Sequence, residues 1–94
     1  MRFAFVLILM LMSAPCAAAE AVRPSCNVQE HASMLARIGR LVHSSCGKIE
    51  GIGMGQTRES ARRNCCYYGT RPILEEAAAY SPSTGRWYAV IRYR

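Results

Sequence analysis

The stretch Asn64-Cys65-Cys66-Tyr67-Tyr68-Gly69 sets two thiols side by side. Adjacent cysteines rarely bridge each other, because the small ring strains both the peptide and the disulfide torsion. Each is therefore expected to reach a different upstream sulfur. Cys26 and Cys46 are the candidates, giving either Cys26 to Cys65 with Cys46 to Cys66, or Cys26 to Cys66 with Cys46 to Cys65. Spacing alone does not choose between the two.

Other reactive side chains are sparse. His43 stands three residues before Cys46, and a free thiol beside an imidazole is a possible nucleophile. A bridged Cys46 removes that chemistry. There is no Cys-x-x-Cys pair and no Asp, and His31 lies twelve residues from His43, so neither a metal site nor a cofactor is expected. Both histidines read as helix-surface residues. The run Gly51-x-Gly53-x-Gly55 ahead of a helix invites comparison with phosphate-cradling loops. Its spacing matches neither the dinucleotide fingerprint nor the P-loop, and glycines that let a helix or disulfide pack closely on a strand explain it better.

The remaining chemistry is cationic and aromatic. Beyond residue 19 the chain carries ten Arg and one Lys against six Glu. Arg58, Arg62 and Arg63, with Arg86, Arg92 and Arg94 around Trp87, Tyr88 and Tyr93, form the candidate binding surface. Guanidinium pairs with phosphate in a fixed bidentate geometry, and interleaved aromatic rings suit bases of single-stranded nucleic acid. Most large aromatics should enter the core, and alternation along a strand puts Tyr88 on the face opposite Trp87 and Tyr93.

The N-terminus sets the compartment. Arg2, an apolar run from Phe3 to Met12, Pro15 and small residues through Ala19 follow the order of a secretory signal peptide, with the cut expected after Ala19. The apolar run is too short for a membrane span. Pro15 before Cys16 argues against lipidation. Cleavage removes Cys16 and leaves four cysteines in an oxidising, periplasmic or extracellular setting. A single basic residue in a short leader suggests a bacterial precursor. A mature domain of roughly 75 residues buries little apolar area and should depend on disulfides.

The elements that must position these residues follow from periodicity. Residues 20–25 read as a flexible arm and 26–94 as one domain. Asn27 with Glu30 caps a helix predicted over 28–44, whose stripe includes Val28, Ala32, Leu35, Ile38 and Val42, with Gly47 as its stop. Residues 48–55 read as a strand. Thr57 caps a second helix over 58–68, with Ala61, Cys65 and Tyr68 on its buried side. Residues 73–80 and 86–93 flank a Pro- and Gly-containing turn and form a hairpin, in which Tyr80 faces Trp87, Glu75 faces Arg92 as an ion pair, and Leu74 faces Tyr93.

The predicted class is α+β: a small disulfide-stapled domain in the order helix, strand, helix, β-hairpin, with helices on one face of an antiparallel sheet. The expected role is a non-enzymatic exported binding module for an envelope or extracellular protein. The alternative is a polyanion binder directed at lipopolysaccharide, wall polymer or DNA. A small secreted toxin or hydrolase is a third reading.

Overall fold

Asn27 starts the first helix, its side-chain oxygen accepting from the Glu30 amide, and α1 runs over Val28–Ile38. The computed structural model describes residues 25–94. The expected leader over 1–19, Cys16 within it, and all of the expected arm except Ser25 lie outside the described residues. After α1 come β1 (Ile49–Gly55), α2 (Arg58–Arg63), β2 (Ile73–Ser81) and β3 (Arg86–Tyr93). The α+β class and the element order are those predicted.

Both helices end earlier than their apolar spacing suggests. Gly39, at φ 72°, takes the left-handed conformation and returns its amide to the Leu35 carbonyl, stopping α1 well before Gly47. Residues 41–45 are then free to run irregularly past the helix. Thr57 and Ser60 form a reciprocal capping box on α2, which closes at Asn64. The Asn64 side-chain amide donates to the Met54 carbonyl at 2.8 Å, tying the end of the helix to β1.

The three strands are antiparallel in the order β1-β3-β2. Tyr80 faces Trp87, and their rings meet edge to face at 5.7 Å, as the hairpin pattern predicts. Near the other end a bulge at Leu74 brings Ile73, rather than Leu74, opposite Tyr93. Glu75 does face Arg92 in register, but the expected ion pair is not made. Arg92 is also opposite Glu50 of β1 and pairs with that residue instead.

The helices cover opposite faces of the sheet, where the sequence placed them together on one. Tyr88 and Val90 of β3 pack with Ala32, Leu35 and Ala36 of α1 and Ile52 of β1. The alternate residues Ala89, Ile91 and Tyr93 pack with Ala61 of α2 and with Cys65. Because β3 is central, both its faces must be apolar. Gly51, Gly53 and Gly55 turn their bare side toward α2 and the turn after it, so the close-packing reading of the glycine run is the one the fold uses. A Cβ at Gly53 would stand 2.6 Å from the Ala61 carbonyl oxygen.

The bridge pattern corrects the sequence reading. Cys26 is joined to Cys46, and Cys65 and Cys66 are both free thiols. The sheet explains why. Cys26 lies beside the start of α1, whereas the Cys65 sulfur is buried on the α2 side, directed at the Ala61 and Ala89 carbonyls. Cys65 is thus turned into the α2-side core, whereas Cys26 sits beside Arg92 on the α1 side.

Backbone atoms of α2 leave no room above the glycines, so Gly53→Ala should destabilise the domain by about 2 kcal/mol or more. Urea unfolding followed by circular dichroism checks this, and a midpoint unchanged from wild type would refute the close-packing account.

Candidate functional site

Two places concentrate chemistry: a buried ionic cluster at the α1 end of the sheet, and an aromatic and cationic surface on the α2 side.

The cluster is built around Glu50. Cross-strand register sets Glu50 beside Arg92 on the α1 face, and only 2% of Arg92 is exposed. Arg92 Nε donates to Glu50 Oε1 at 3.3 Å, and its Nη atoms donate to the Cys26 carbonyl and, at 3.4 Å, to the Ser25 carbonyl. The Ser44 amide and hydroxyl donate to the two oxygens of Glu50 at 3.0 and 2.7 Å. His43 Nδ1 donates to Oε2 at 2.9 Å. Burial pushes the Glu50 carboxyl pKa up, but the Ser44 and His43 hydrogen bonds and the electrostatic influence of His31 outweigh it and hold the group below its ordinary value.

The two histidines of the cluster differ. His31 is fully buried, where the sequence placed it on a helix surface. It donates from Nε2 to the Val42 carbonyl at 2.7 Å, while its Nδ1 has no hydrogen-bond partner and faces Glu50 Oε1 at 3.6 Å. His43 lies beyond the end of α1 with its side chain 61% exposed. With Nδ1 engaged by Glu50, Nε2 is the ring nitrogen left facing outward. The ring borders a depression of about 350 Å3 with Ser45, Lys48, Ile49 and Tyr67. Ser45 and Tyr67 both adopt positive φ, at 72° and 66°.

A buried carboxylate behind an exposed imidazole can orient a base. The hydroxyl and sulfur that flank His43 in sequence are already engaged, Ser44 with Glu50 and Cys46 with Cys26. Among the described residues no group of three or more His, Cys or Glu is placed to hold a metal ion. Hydrogen-bonding patterns of this kind have little sequence signature, and the one local clue is the spacing of His43 and Ser44 ahead of Glu50.

The second place re-sorts the predicted binding residues. Arg92, Tyr88 and Tyr93 are buried and drop out of the surface. Arg62 forms a two-point pair with Glu76, at 2.6 and 3.3 Å, and also approaches Glu59, as does Arg63. Arg94 is exposed at the end of β3, where its carbonyl accepts from Arg71. Together on the α2 side stand Arg58, whose guanidinium lies 5.9 Å over the Trp87 ring, and Tyr80, whose ring is edge-on to Trp87 and 49% exposed. Arg86 is exposed at the start of β3 but alternates with Trp87 onto the α1 face, its Nη1 3.9 Å from the sulfur of Met54, which packs against the α1-side core, so it does not join this surface.

No family model matches this chain, and no curated protein or solved structure is significantly similar to it.

Removing the cation from the cluster would leave Glu50 buried and uncompensated, so Arg92→Met should cost about 3–5 kcal/mol, with part regained on adding Glu50→Gln. Because the folded carboxyl lies below its ordinary 4.5, the unfolded chain binds more protons in that range. The Glu50 contribution is therefore complete above about pH 4.5 and is lost as pH falls through the folded value. Acid titration of wild type against Glu50→Gln should show a shallower limb in the variant, and parallel limbs would remove Glu50 as the cause.

The two free thiols should react differently. Burial, reinforced by the neighbouring Cys66 and Glu76, pushes the Cys65 thiol up to about 12, whereas Cys66 is exposed. Alkylation with iodoacetamide near neutral pH, followed by peptide mapping, should label Cys66 in the native protein and reach Cys65 only after denaturation. Equal labelling of both in the native state, or of neither, would contradict this arrangement.

Proposed function

We propose that the chain is an exported, non-enzymatic binding module that meets an envelope or extracellular protein through the surface formed by Arg58, Tyr80 and Trp87. The Cys26–Cys46 disulfide points to an oxidising, non-cytoplasmic location. Among the described residues no helix is long and apolar enough to cross a membrane. The secretory leader read in the sequence is the route by which the domain would reach that location.

The observation that carries the reading is Tyr80 standing half exposed against Trp87 beneath Arg58. Tyr, Trp and Arg are the side chains enriched among the few residues that dominate binding energy at protein interfaces, Tyr and Trp because they bury large rigid rings. Here Arg58, Tyr80 and Trp87 are contiguous, with Trp87 half-buried against the α2-side core and Tyr80 half open to solvent.

The polyanion reading loses support from the same geometry. Arg92 is consumed inside the fold, and Arg62 and Arg63 are answered by glutamates, so the cations over the α2 face do not form one free stripe.

Cross-linking of the tagged protein to envelope extract, with Tyr80→Ser as comparison, tests the assignment. The wild type should yield a discrete complex that survives about 0.5 M salt, where exposed charges are screened. Tyr80→Ser should reduce its yield roughly tenfold. An unchanged yield in the variant would refute the surface. Retention on heparin that collapses at modest salt, with no salt-resistant complex, would favour a polyanion instead.

A further inference from the structure

The sheet has two edges, and they are not alike. Along β1 the Met54 carbonyl is taken by the Asn64 side-chain amide at 2.8 Å, which ties that strand to the end of α2. Along β2, from Glu75 to Tyr80, no main-chain group accepts or donates a hydrogen bond outward among the described residues. An open edge is a template for another strand.

Both flanks of that edge are hollow. On the α2 side a groove of about 270 Å3 lies among Arg58, Glu59, Arg62, Glu76 and Ala78. On the α1 side a groove of about 300 Å3 lies among Ser33, Ala36, Arg37, Ala79 and Pro82. The strand between them presents Ala77, Ala78 and Ala79, whose small side chains leave these spaces unfilled. A strand laid along β2 would send alternate side chains into the two grooves, the arrangement by which strand addition combines main-chain affinity with side-chain selection.

Charge identifies the occupant. Among the described glutamates, Glu30 accepts from Ser25, Glu50 belongs to the buried cluster, and Glu59 and Glu76 pair with arginines. Glu75, exposed on the open edge, has no partner, because Arg92 across the register is taken by Glu50. A second copy is a poor fit: Ile73–Ser81 contains two glutamates and no basic residue, so pairing β2 with itself leaves Glu75 unanswered.

We propose that β2 accepts an extended segment of a partner protein, with small side chains entering the flanking grooves and a lysine or arginine opposite Glu75. This rests on the protein-partner reading above and gives that partner a recognisable chemistry.

The probe is a seven-residue peptide of alternating threonine and valine with a central arginine, compared with the same peptide carrying a central glutamate. Each is titrated into the isotopically labelled full chain. The arginine peptide should shift and protect from exchange the amides of residues 75–80, and should bind about fivefold more tightly than the glutamate peptide. Glu75→Gln, at an exposed and unpaired position, should leave the fold intact and largely erase that difference. N-methylation of alternate amides should abolish binding in one phase and spare it in the other, as main-chain pairing requires.

Equal affinity for the two peptides, or shifts confined to other residues, would overturn the proposal. Concentration-dependent protection of β2 in the free protein would identify a second copy as the occupant, and concentration-independent protection would identify residues 1–24; either also overturns it. If the salt-resistant complex depends on Tyr80 while the peptides leave β2 unmoved, strand addition fails and the surface assignment stands. Peptide binding without any such complex separates the two in the other direction.

Discussion

The contact on which the rest of the fold depends is the ion pair between Glu50 and Arg92. Each charge is withdrawn from water, which is tolerable only when the remaining donors and acceptors are also satisfied. They are, and by particular segments: the carbonyls of Ser25 and Cys26 receive the guanidinium, and Ser44 and His43 complete the carboxylate. Those segments adjoin the two ends of the Cys26–Cys46 bridge. The covalent link thus holds in place the main-chain groups that substitute for water around Arg92, and the ion pair in turn anchors the loop the bridge closes. Disulfide and salt bridge act as one device.

The sheet divides the molecule's chemistry. Its α1 face carries the buried charges and the disulfide, and its α2 face carries the free thiols, the glycine track and the exposed aromatic surface. A three-stranded sheet with a helix on each side gives β3 two buried faces, and this is why so short a chain can enclose Tyr88 and Tyr93 at once. The glycines of β1 make the second layer possible. With side chains there, α2 would be lifted off the strand, and Ala61 and Cys65 would lose contact with Ala89 and Ile91.

Much of the local structure was legible because it rests on local chemistry. Asn27 and Thr57 cap helices, the pattern in 48–55 gives a strand, and the turn between Tyr80 and Trp87 fixes most of the hairpin register. Non-local choices were not legible. The stripe of α1 continues through Val42, and nothing in periodicity reveals that Gly39 ends the helix so that residues 42–44 can serve His31 and Glu50. Glu75 and Glu50 both face Arg92, and only the buried side offers further hydrogen bonds, so a pattern read along the hairpin alone selects the wrong acid. The bridges differ because the sequence reading takes all four cysteines as oxidised, so that Cys26–Cys46 would force a strained vicinal bridge, whereas Cys65 and Cys66 both stay free thiols. The predicted basic surface shrank for a related reason: alternation along β3 puts Arg92 inside, and sequence shows an arginine without showing whether it is solvated.

That last substitution of roles bears on why a charge sits in the core at all. An apolar pair of similar volume in place of Glu50 and Arg92 could be as stable or more so, since buried ion pairs seldom gain free energy over a well-packed hydrophobic contact. What the pair supplies is discrimination between alternatives. A one-residue slip of β3 would carry Arg92 to the α2 face, toward Ala61 and Cys65, where none of its present partners could follow, and would leave Glu50 without its cation. Because β1 consists largely of glycines on one face, it has few side chains with which to specify its own alignment. The penalty for stranding two charges supplies that alignment, and the same register that buries Arg92 against β1 leaves Glu75 unanswered on the opposite edge.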